Sequence, residues 1–163
     1  IYRNIEGLIG SDFNDSLTGS TSNDQLYGGG GADTISGGGG NDMLYGGAGS
    51  DHMTGGGGGD TFVIGSDAPG IADVITDYNH GDQDAVDLSE LLGNLASDTT
   101  LQNNYVRVQD AGSGDANLQV DTDGSAGSGG WHTVAVLEDF QVSTDVVKIL
   151  FNNNGTKTEQ DVH

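Results

Sequence analysis

Residues 10–63 read GSDFNDSLT, GSTSNDQLY, GGGGADTIS, GGGGNDMLY, GGAGSDHMT and GGGGGDTFV, six consecutive nonads that begin at Gly10, Gly19, Gly28, Gly37, Gly46 and Gly55 without an insertion. Position six is always aspartate: Asp15, Asp24, Asp33, Asp42, Asp51 and Asp60. Position eight is always a large apolar residue (Leu17, Leu26, Ile35, Leu44, Met53, Phe62), between mostly polar or small neighbours. One apolar side chain between two outward ones predicts a three-residue strand at positions seven to nine, and positions one to six then form a tight turn. Glycine in the turn permits left-handed backbone angles and lets carbonyl oxygens converge. Residues 1–9 repeat the pattern in decayed form, with Glu6 and Leu8 in the aspartate and apolar columns, and begin the stack.

A unit with one apolar side chain cannot bury it alone, so the nonads must stack. If successive strands alternate sides, one coil takes two nonads, or 18 residues, and neighbouring coils lie about 4.8 Å apart. Asp15, Asp33 and Asp51 then form one column, with Asp24, Asp42 and Asp60 in the opposite one. Carboxylates stacked this closely without a basic neighbour repel one another unless they protonate or share a cation. Oxygen-only ligands in a flexible glycine turn suit Ca²⁺. Mg²⁺ demands stricter octahedral geometry, and softer metals prefer nitrogen or sulfur.

The composition points the same way. The chain of 163 residues carries 25 acidic side chains against four basic ones (Arg3, Arg107, Lys148, Lys157), a formal net charge of −21. Phosphate contacts need a cluster of Lys and Arg, so this balance excludes a nucleic-acid binder, and an anionic membrane surface repels it as well. There is no cysteine, which excludes disulfides and thiolate chemistry. No apolar run reaches the roughly 18 residues of a membrane span, so no membrane insertion is expected. High charge with low hydrophobicity would leave a chain disordered without a further stabiliser, and bound cations are the first candidate. The chain starts at Ile1 with neither an initiator Met nor a signal peptide, and reads as the C-terminal piece of a longer protein.

The nonad resembles GGxGxDxUx, with U a large apolar residue, the signature of the RTX, or haemolysin-type, calcium-binding repeat. GGGGADTIS, GGGGNDMLY, GGAGSDHMT and GGGGGDTFV match its glycines and aspartate; the first two nonads depart, with Ser11 and Ser20 at position two and Phe13 and Ser22 at position four. The resemblance implies an all-β fold, a parallel β-roll over 10–63 entered through a degenerate unit at 1–9 and closed by a small, mostly-β cap over 64–163 with one short helix. It implies several Ca²⁺ ions between stacked turns. Their candidate ligands are the carboxylates of Asp15, Asp24, Asp33, Asp42, Asp51 and Asp60 and the backbone of Gly28, Gly30, Gly37, Gly39, Gly46 and Ala48. Asp73 and Asp77 follow the last turn closely and are candidates to extend the columns; Asp82 and Asp84 are the weaker pair.

Other readings of the repeat fit less well. A phosphate-cradling loop needs a basic residue after the glycines, and none follows any of these turns. A disordered linker would not keep two columns in phase. A flat ice-binding surface wants a regular outward threonine column, whereas position seven runs Ser16, Gln25, Thr34, Met43, His52, Thr61.

Beyond Val63 the texture becomes ordinary globular sequence. Ala72–Leu95 predicts a strand at VIT, a turn at His80-Gly81-Asp82, a strand at AVDL and a short helix, with Asp87 as its N-cap, Glu90 at N3 and Gly93 as its limit. Alternation predicts a hairpin around Asp110–Ala116, then strands over Thr133–Leu137 and Asp145–Phe151, with a polar tail after the last. Asp121-Thr122-Asp123-Gly124 resembles the start of an EF-hand but has His132 where the closing Glu belongs, so a plain turn is expected. Trp131 is expected in the core or at its rim.

The stretch ADVITDYNHGDQDAVDLSELLGNL resembles the segment that follows the last RTX repeat in proteins exported by type I secretion, especially large bacterial adhesins, with Tyr78 in place of a commoner Phe. The resemblance implies a secreted or cell-surface, monomeric module of a larger chain. Its partner would be a type I secretion apparatus of ABC transporter and membrane-fusion components, reading a signal in the last residues. The four histidines show no HExxH pairing and there is no GxSxG elbow, so no enzyme is expected within this piece. The alternative is the C-terminal calcium module of a secreted metalloprotease, lipase or polysaccharide-modifying enzyme.

Overall fold

A computed structural model describes residues 6–65, 71–92, 94–95, 105–121, 130–142, 144–153 and 156–162. The nonads wind into a parallel β-roll of strands β1 (Leu8–Ile9), β2 (Ser16–Thr18), β3 (Gln25–Gly30), β4 (Thr34–Gly39), β5 (Met43–Ala48), β6 (His52–Gly57) and β7 (Thr61–Val63). Odd strands stack in one sheet and even strands in the other, each pairing with the strand one coil away: Leu26 with Leu44, Ile35 with Met53 and Leu44 with Phe62. The decayed first unit joins in register, Leu8 against Leu26.

Four strands run six residues rather than the expected three. The glycines at positions one to three continue the ladder, pairing Gly29 with Gly47 and Gly38 with Gly56, so the true turn is confined to positions four to six. Between the sheets the apolar column closes completely: Leu26, Ile35, Leu44, Met53 and Phe62 are all 0% exposed. At about 1.5–3 kcal/mol for each large side chain buried, this one-residue-wide core is the main apolar support of the repeats.

The sheets do not stop at Val63. They continue through β8 (Asp73–Ile75), β9 (Ala85–Asp87), helix α1 (Ser89–Leu92), β10 (Asn94–Leu95), β11 (Val106–Gly112), β12 (Asp115–Asp121), β13 (Trp131–Leu137), β14 (Val147–Asn153) and β15 (Thr156–Val162). One sheet runs β1-β3-β5-β7-β9-β14-β10 with β15 on β14; the other runs β2-β4-β6-β8-β13-β12-β11. Strands β13 and β14 join β8 and β9 in parallel; β13 then takes its antiparallel partner β12, and β14 takes β15 antiparallel and β10 in parallel.

The expected hairpin is present, with its tip at Gly112 and Ser113 in left-handed conformations. The polar tail after Phe151 is instead strand β15, because Lys148 to Asn153 offer a complete ladder to Thr156 to Asp161. Asp87 Oδ1 accepts the Ser89 N–H at 3.0 Å, as an entry to α1 requires, while its Oδ2 pairs with Lys157 Nζ from β15. Gly93 lies outside the described residues. Tyr78 uses the hydroxyl that a Phe would lack: it donates to the Asp84 carbonyl (3.1 Å) and accepts the Lys148 N–H (2.8 Å), tying β14 to the turn before β9. Trp131 sits at the rim, its ring stacked on the Arg107 guanidinium at 4.2 Å.

Candidate metal centre

Both aspartate columns form with the expected 18-residue offset. The N–H of Asp15, Asp24, Asp33 and Asp42 donates to Oδ1 of Asp33, Asp42, Asp51 and Asp60 respectively, each at 2.8 Å. Each carboxylate is thus pinned by one oxygen to the coil before it. The second oxygen, Oδ2, of Asp33, Asp42 and Asp60 is buried and receives no hydrogen bond. A buried carboxylate oxygen without a partner is costly, and the missing partner must be positively charged or a donor.

The surroundings of that oxygen are backbone. A methyl group added to Gly28 would collide with both Asp33 Oδ2 and the Gly46 carbonyl oxygen of the next coil. One added to Gly37 would collide with Asp42 Oδ2 and lie 2.7 Å from the Gly55 carbonyl oxygen. Position one is therefore glycine because carboxylate and carbonyl oxygens converge over it. Among the described residues no three His, Asp or Glu side chains converge on a point, so a cation here must draw on backbone oxygens. The cradle fits a hard cation with oxygen ligands, and a softer metal finds no nitrogen or sulfur in it.

The candidate backbone ligands separate into two groups. The position-one carbonyls of Gly28, Gly37 and Gly46 face the carboxylates, and Gly55, absent from the sequence-based set, stands with them. Position three belongs to the ladder between coils: Gly30 and Gly39 donate to the Ser11 and Ser20 carbonyls, and the Ala48 carbonyl accepts the Gly31 N–H at 2.9 Å.

After Asp60 the columns diverge from expectation. Asp73 extends the first column, its Oδ1 accepting the Asp51 N–H at 3.1 Å. Asp77 does not extend the second. It accepts the Gly55 and Gly56 N–H groups, both at 2.8 Å, and caps that turn. Asp84, the weaker candidate, takes the column position, with Oδ1 accepting the Asp60 N–H at 2.8 Å. The closing turn contains the 3₁₀ segment His80–Asp82, which lengthens it and hides the repeat spacing; Asp82 binds the Asn79 side chain. Asp121 ends β12 fully buried, and the rest of the EF-hand-like stretch, 122–129, lies outside the described residues.

The electrostatics follow from this stacking. Burial pushes the Asp60 carboxyl up to about 6; the Asp42 N–H, or rather its hydrogen bond, opposes the shift, and the charges of Asp84, Asp42 and Asp77 add to it. Asp42 and Asp84 are also raised, burial again being the largest cause. Sequence reasoning missed one further set. At position five, Asn14, Asn23 and Asn41 accept through Oδ1 the N–H of residues 32, 41 and 59 at 2.9, 2.8 and 3.0 Å, aligning turn on turn. The signal was the recurrence of Asn at that position.

The family profile of the RTX calcium-binding nonapeptide repeat (4 copies) matches residues 9–44 and 31–62. The AlgE6R3 subunit of the mannuronan C5-epimerase from Azotobacter vinelandii, a solution structure, is 30% identical with a TM-score of 0.57, over 89% of this chain and 88% of that one. The chain belongs to the RTX calcium-binding repeat family. The RTX assignment is supported again by the AlgE6R2 subunit of the same epimerase, 30% identical with a TM-score of 0.58, over 90% of this chain and 93% of that one. The C-terminal domain (RV) of MpAFP aligns at 20% identity and a TM-score of 0.41, over 96% and 98% of the two chains. No curated protein matches. The RTX repeats make this a calcium-binding β-roll.

Proposed function

We propose that this RTX chain is a calcium-dependent folding and export module of a larger extracellular protein, secreted or held at the cell surface, monomeric and not itself an enzyme. The observation that carries the reading is the buried Oδ2 of Asp33, Asp42 and Asp60, each lacking a hydrogen bond. Bound Ca²⁺ would supply the positive charge these groups lack, held by the oxygens of Asp33 and Asp42 with the Gly46 and Gly55 carbonyls. The remaining chemistry is the chain's own. Without a counter-ion the stacked acids oppose compaction, so in a calcium-poor cytosol the repeats stay unfolded and suit passage through a type I ABC transporter and membrane-fusion channel. Where calcium exceeds the site Kd about 100-fold, each site adds about 2.7 kcal/mol. A few sites then decide the state of a domain whose margin is about 5–15 kcal/mol.

The parent protein has two readings. The DLSELL segment, Asp87–Leu92, supports a large adhesin. The two neighbours at 30% identity are subunits of a mannuronan epimerase, which supports the C-terminal module of a secreted polysaccharide-modifying enzyme. The sequence preceding Ile1 in the parent gene separates them: tandem β-sandwich repeats or a catalytic domain. Among the described residues no helix is long and apolar enough to cross a membrane.

Circular dichroism with a calcium titration tests the module. Strand content should be low in EDTA and rise to a plateau at millimolar Ca²⁺. Equal strand content in both conditions overturns the proposal.

A further inference from the structure

The first coil, residues 10–27, and the later coils differ at the two positions that set the direction of the turn peptides. In nonads three to six, position two is Gly29, Gly38, Gly47 or Gly56, with φ between 101 and 107°. Position four is Gly31, Gly40, Gly49 or Gly58, with φ between 106 and 129°. In the first two nonads these positions hold Ser11 and Phe13, then Ser20 and Ser22, none of which has a positive φ. A side chain with a Cβ disfavours the left-handed region, so these turns point their N–H groups differently.

The difference appears at the carboxylate. The Ser11 N–H donates to Asp15 Oδ2 at 2.6 Å and the Ser11 hydroxyl donates to the same oxygen at 2.8 Å. The Ser20 N–H donates to Asp24 Oδ2 at 2.6 Å. The serine hydroxyls also accept from position four, Phe13 N–H at 3.3 Å and Ser22 N–H at 3.1 Å, which closes each turn on itself. Oδ2 is the oxygen that in Asp33, Asp42 and Asp60 has no hydrogen bond. Asp24 keeps a buried Oδ1 without a hydrogen bond, but that is the oxygen by which later aspartates hold the coil before them. The far end repeats the device: Asp84 Oδ2 accepts the Asn79 N–H at 2.8 Å.

Sterics hold position two of the later nonads to glycine in this conformation. A Cβ on Gly29 or Gly38 would collide with the carbonyl oxygen of Ser11 or Ser20, one coil earlier, and a Cβ on Gly47 or Gly56 with that of Gly29 or Gly38. An N–H aimed at Oδ2 takes one lone-pair direction of that oxygen, and at Asp15 the Ser11 hydroxyl takes the other, so these donors compete with a cation for the same oxygen.

We propose that positions two and four of the nonad gate the cation: serine at two with a non-glycine residue at four closes the turns of Asp15 and Asp24, so cation occupancy begins at Asp33. The inference rests on the calcium reading above and specifies where in the roll it applies. The first coil of nonads holds its acids by hydrogen bonds alone and is independent of metal.

Native mass spectrometry at saturating Ca²⁺ counts the ions on the full chain. The Ser20→Gly/Ser22→Gly variant, which can adopt the open turn, should carry one ion more than the wild type. Ser20→Ala/Ser22→Ala keeps both Cβ atoms and the Ser20 backbone N–H, and should match the wild-type count. Ser11→Gly/Phe13→Gly is an independent gain variant, and Phe13 is 78% exposed, so its loss leaves the core intact. If neither glycine pair raises the count, or if the alanine pair raises it as well, the gating inference is overturned while the calcium reading stands. A wild-type chain that carries no Ca²⁺ overturns both.

Discussion

The backbone N–H of Asp33 donates to Oδ1 of Asp51, one coil further along, at 2.8 Å. The same bond recurs from coil to coil, so each interior aspartate joins three things: the amide of the previous coil, its own turn, and the oxygen cradle beneath the next one. Removing such a residue costs a register bond as well as the proposed metal ligand.

That asymmetry separates Asp33 from Asp15. Asp33→Ala removes the acceptor of the Asp15 N–H and a buried Oδ2, whereas the Oδ2 of Asp15 is already held by Ser11. Isothermal titration of Ca²⁺ should show about tenfold or greater weakening, or a lost site, for Asp33→Ala, and a change within about twofold for Asp15→Ala. A tenfold loss is about 1.4 kcal/mol, the scale expected for one charge-assisted ligand. Equal losses would contradict the arrangement.

Glycine positions should divide by what lies over them. Gly37→Ala would drive a methyl into Asp42 Oδ2, while Gly57→Ala meets nothing within 4 Å. Thermal melts in calcium should place Gly37→Ala at a loss of about 2 kcal/mol or more and Gly57→Ala within about 1 kcal/mol of wild type. Similar melting temperatures for the two would remove the cradle as the reason for glycine at position one.

In EDTA, acid should do part of what the cation does. The folded Asp60 carboxyl lies at about 6 against an ordinary 3.8, so the folded chain binds more protons than the unfolded one in that window. Its contribution to stability is fully present below 3.8 and is lost as pH rises through about 6. Metal-free protein should therefore gain strand signal as pH falls from 7 towards 4.5. In calcium the midpoint concentration should rise over the same interval, because protons compete for the same carboxylates. A metal-free signal independent of pH from 7 to 4.5 would refute the assignment.

Lys157 Nζ pairs with Asp87, whose side chain is only 4% exposed. Lys157→Ala leaves that carboxylate buried without its cation and should destabilise by about 1–3 kcal/mol, less than a fully buried pair because the lysine is half exposed. Adding Asp87→Asn should recover part of the loss in a double-mutant cycle. Additive losses would show that the pair does not couple β15 to the roll.

Export and folding should come apart. Deleting residues 145–163 removes β14, which pairs with β9, together with the segment expected to carry the secretion signal. With a type I system, the truncated chain should be absent from the medium, whereas Asp33→Ala should be exported normally and fold more slowly outside. Wild-type yield of the truncated chain in the medium, without lysis, would misplace the signal.

The nine-residue period, the apolar column of Leu26, Ile35, Leu44, Met53 and Phe62, and the pairing of Asp15 with Asp33 and Asp24 with Asp42 were legible from residues 10–63 alone. A repeat this short has one way to bury its apolar residue, and stacking then dictates every neighbour at fixed spacing. Once the spacing broke, sequence lost its hold. Asp84 lies 24 residues from the partner amide of Asp60, so its place in the column emerges only when the 3₁₀ turn is built. Strand β15 carries polar residues on an outer hairpin, where backbone pairing rather than burial decides the structure. The serine turns share their aspartates with the glycine turns, and only the φ angles and the direction of the Ser11 and Ser20 N–H groups tell a carboxylate held by its own turn from one turned towards a cation. Residue type permits or disfavours the left-handed turn, but which carboxylate oxygen the turn N–H reaches is decided only by the folded geometry.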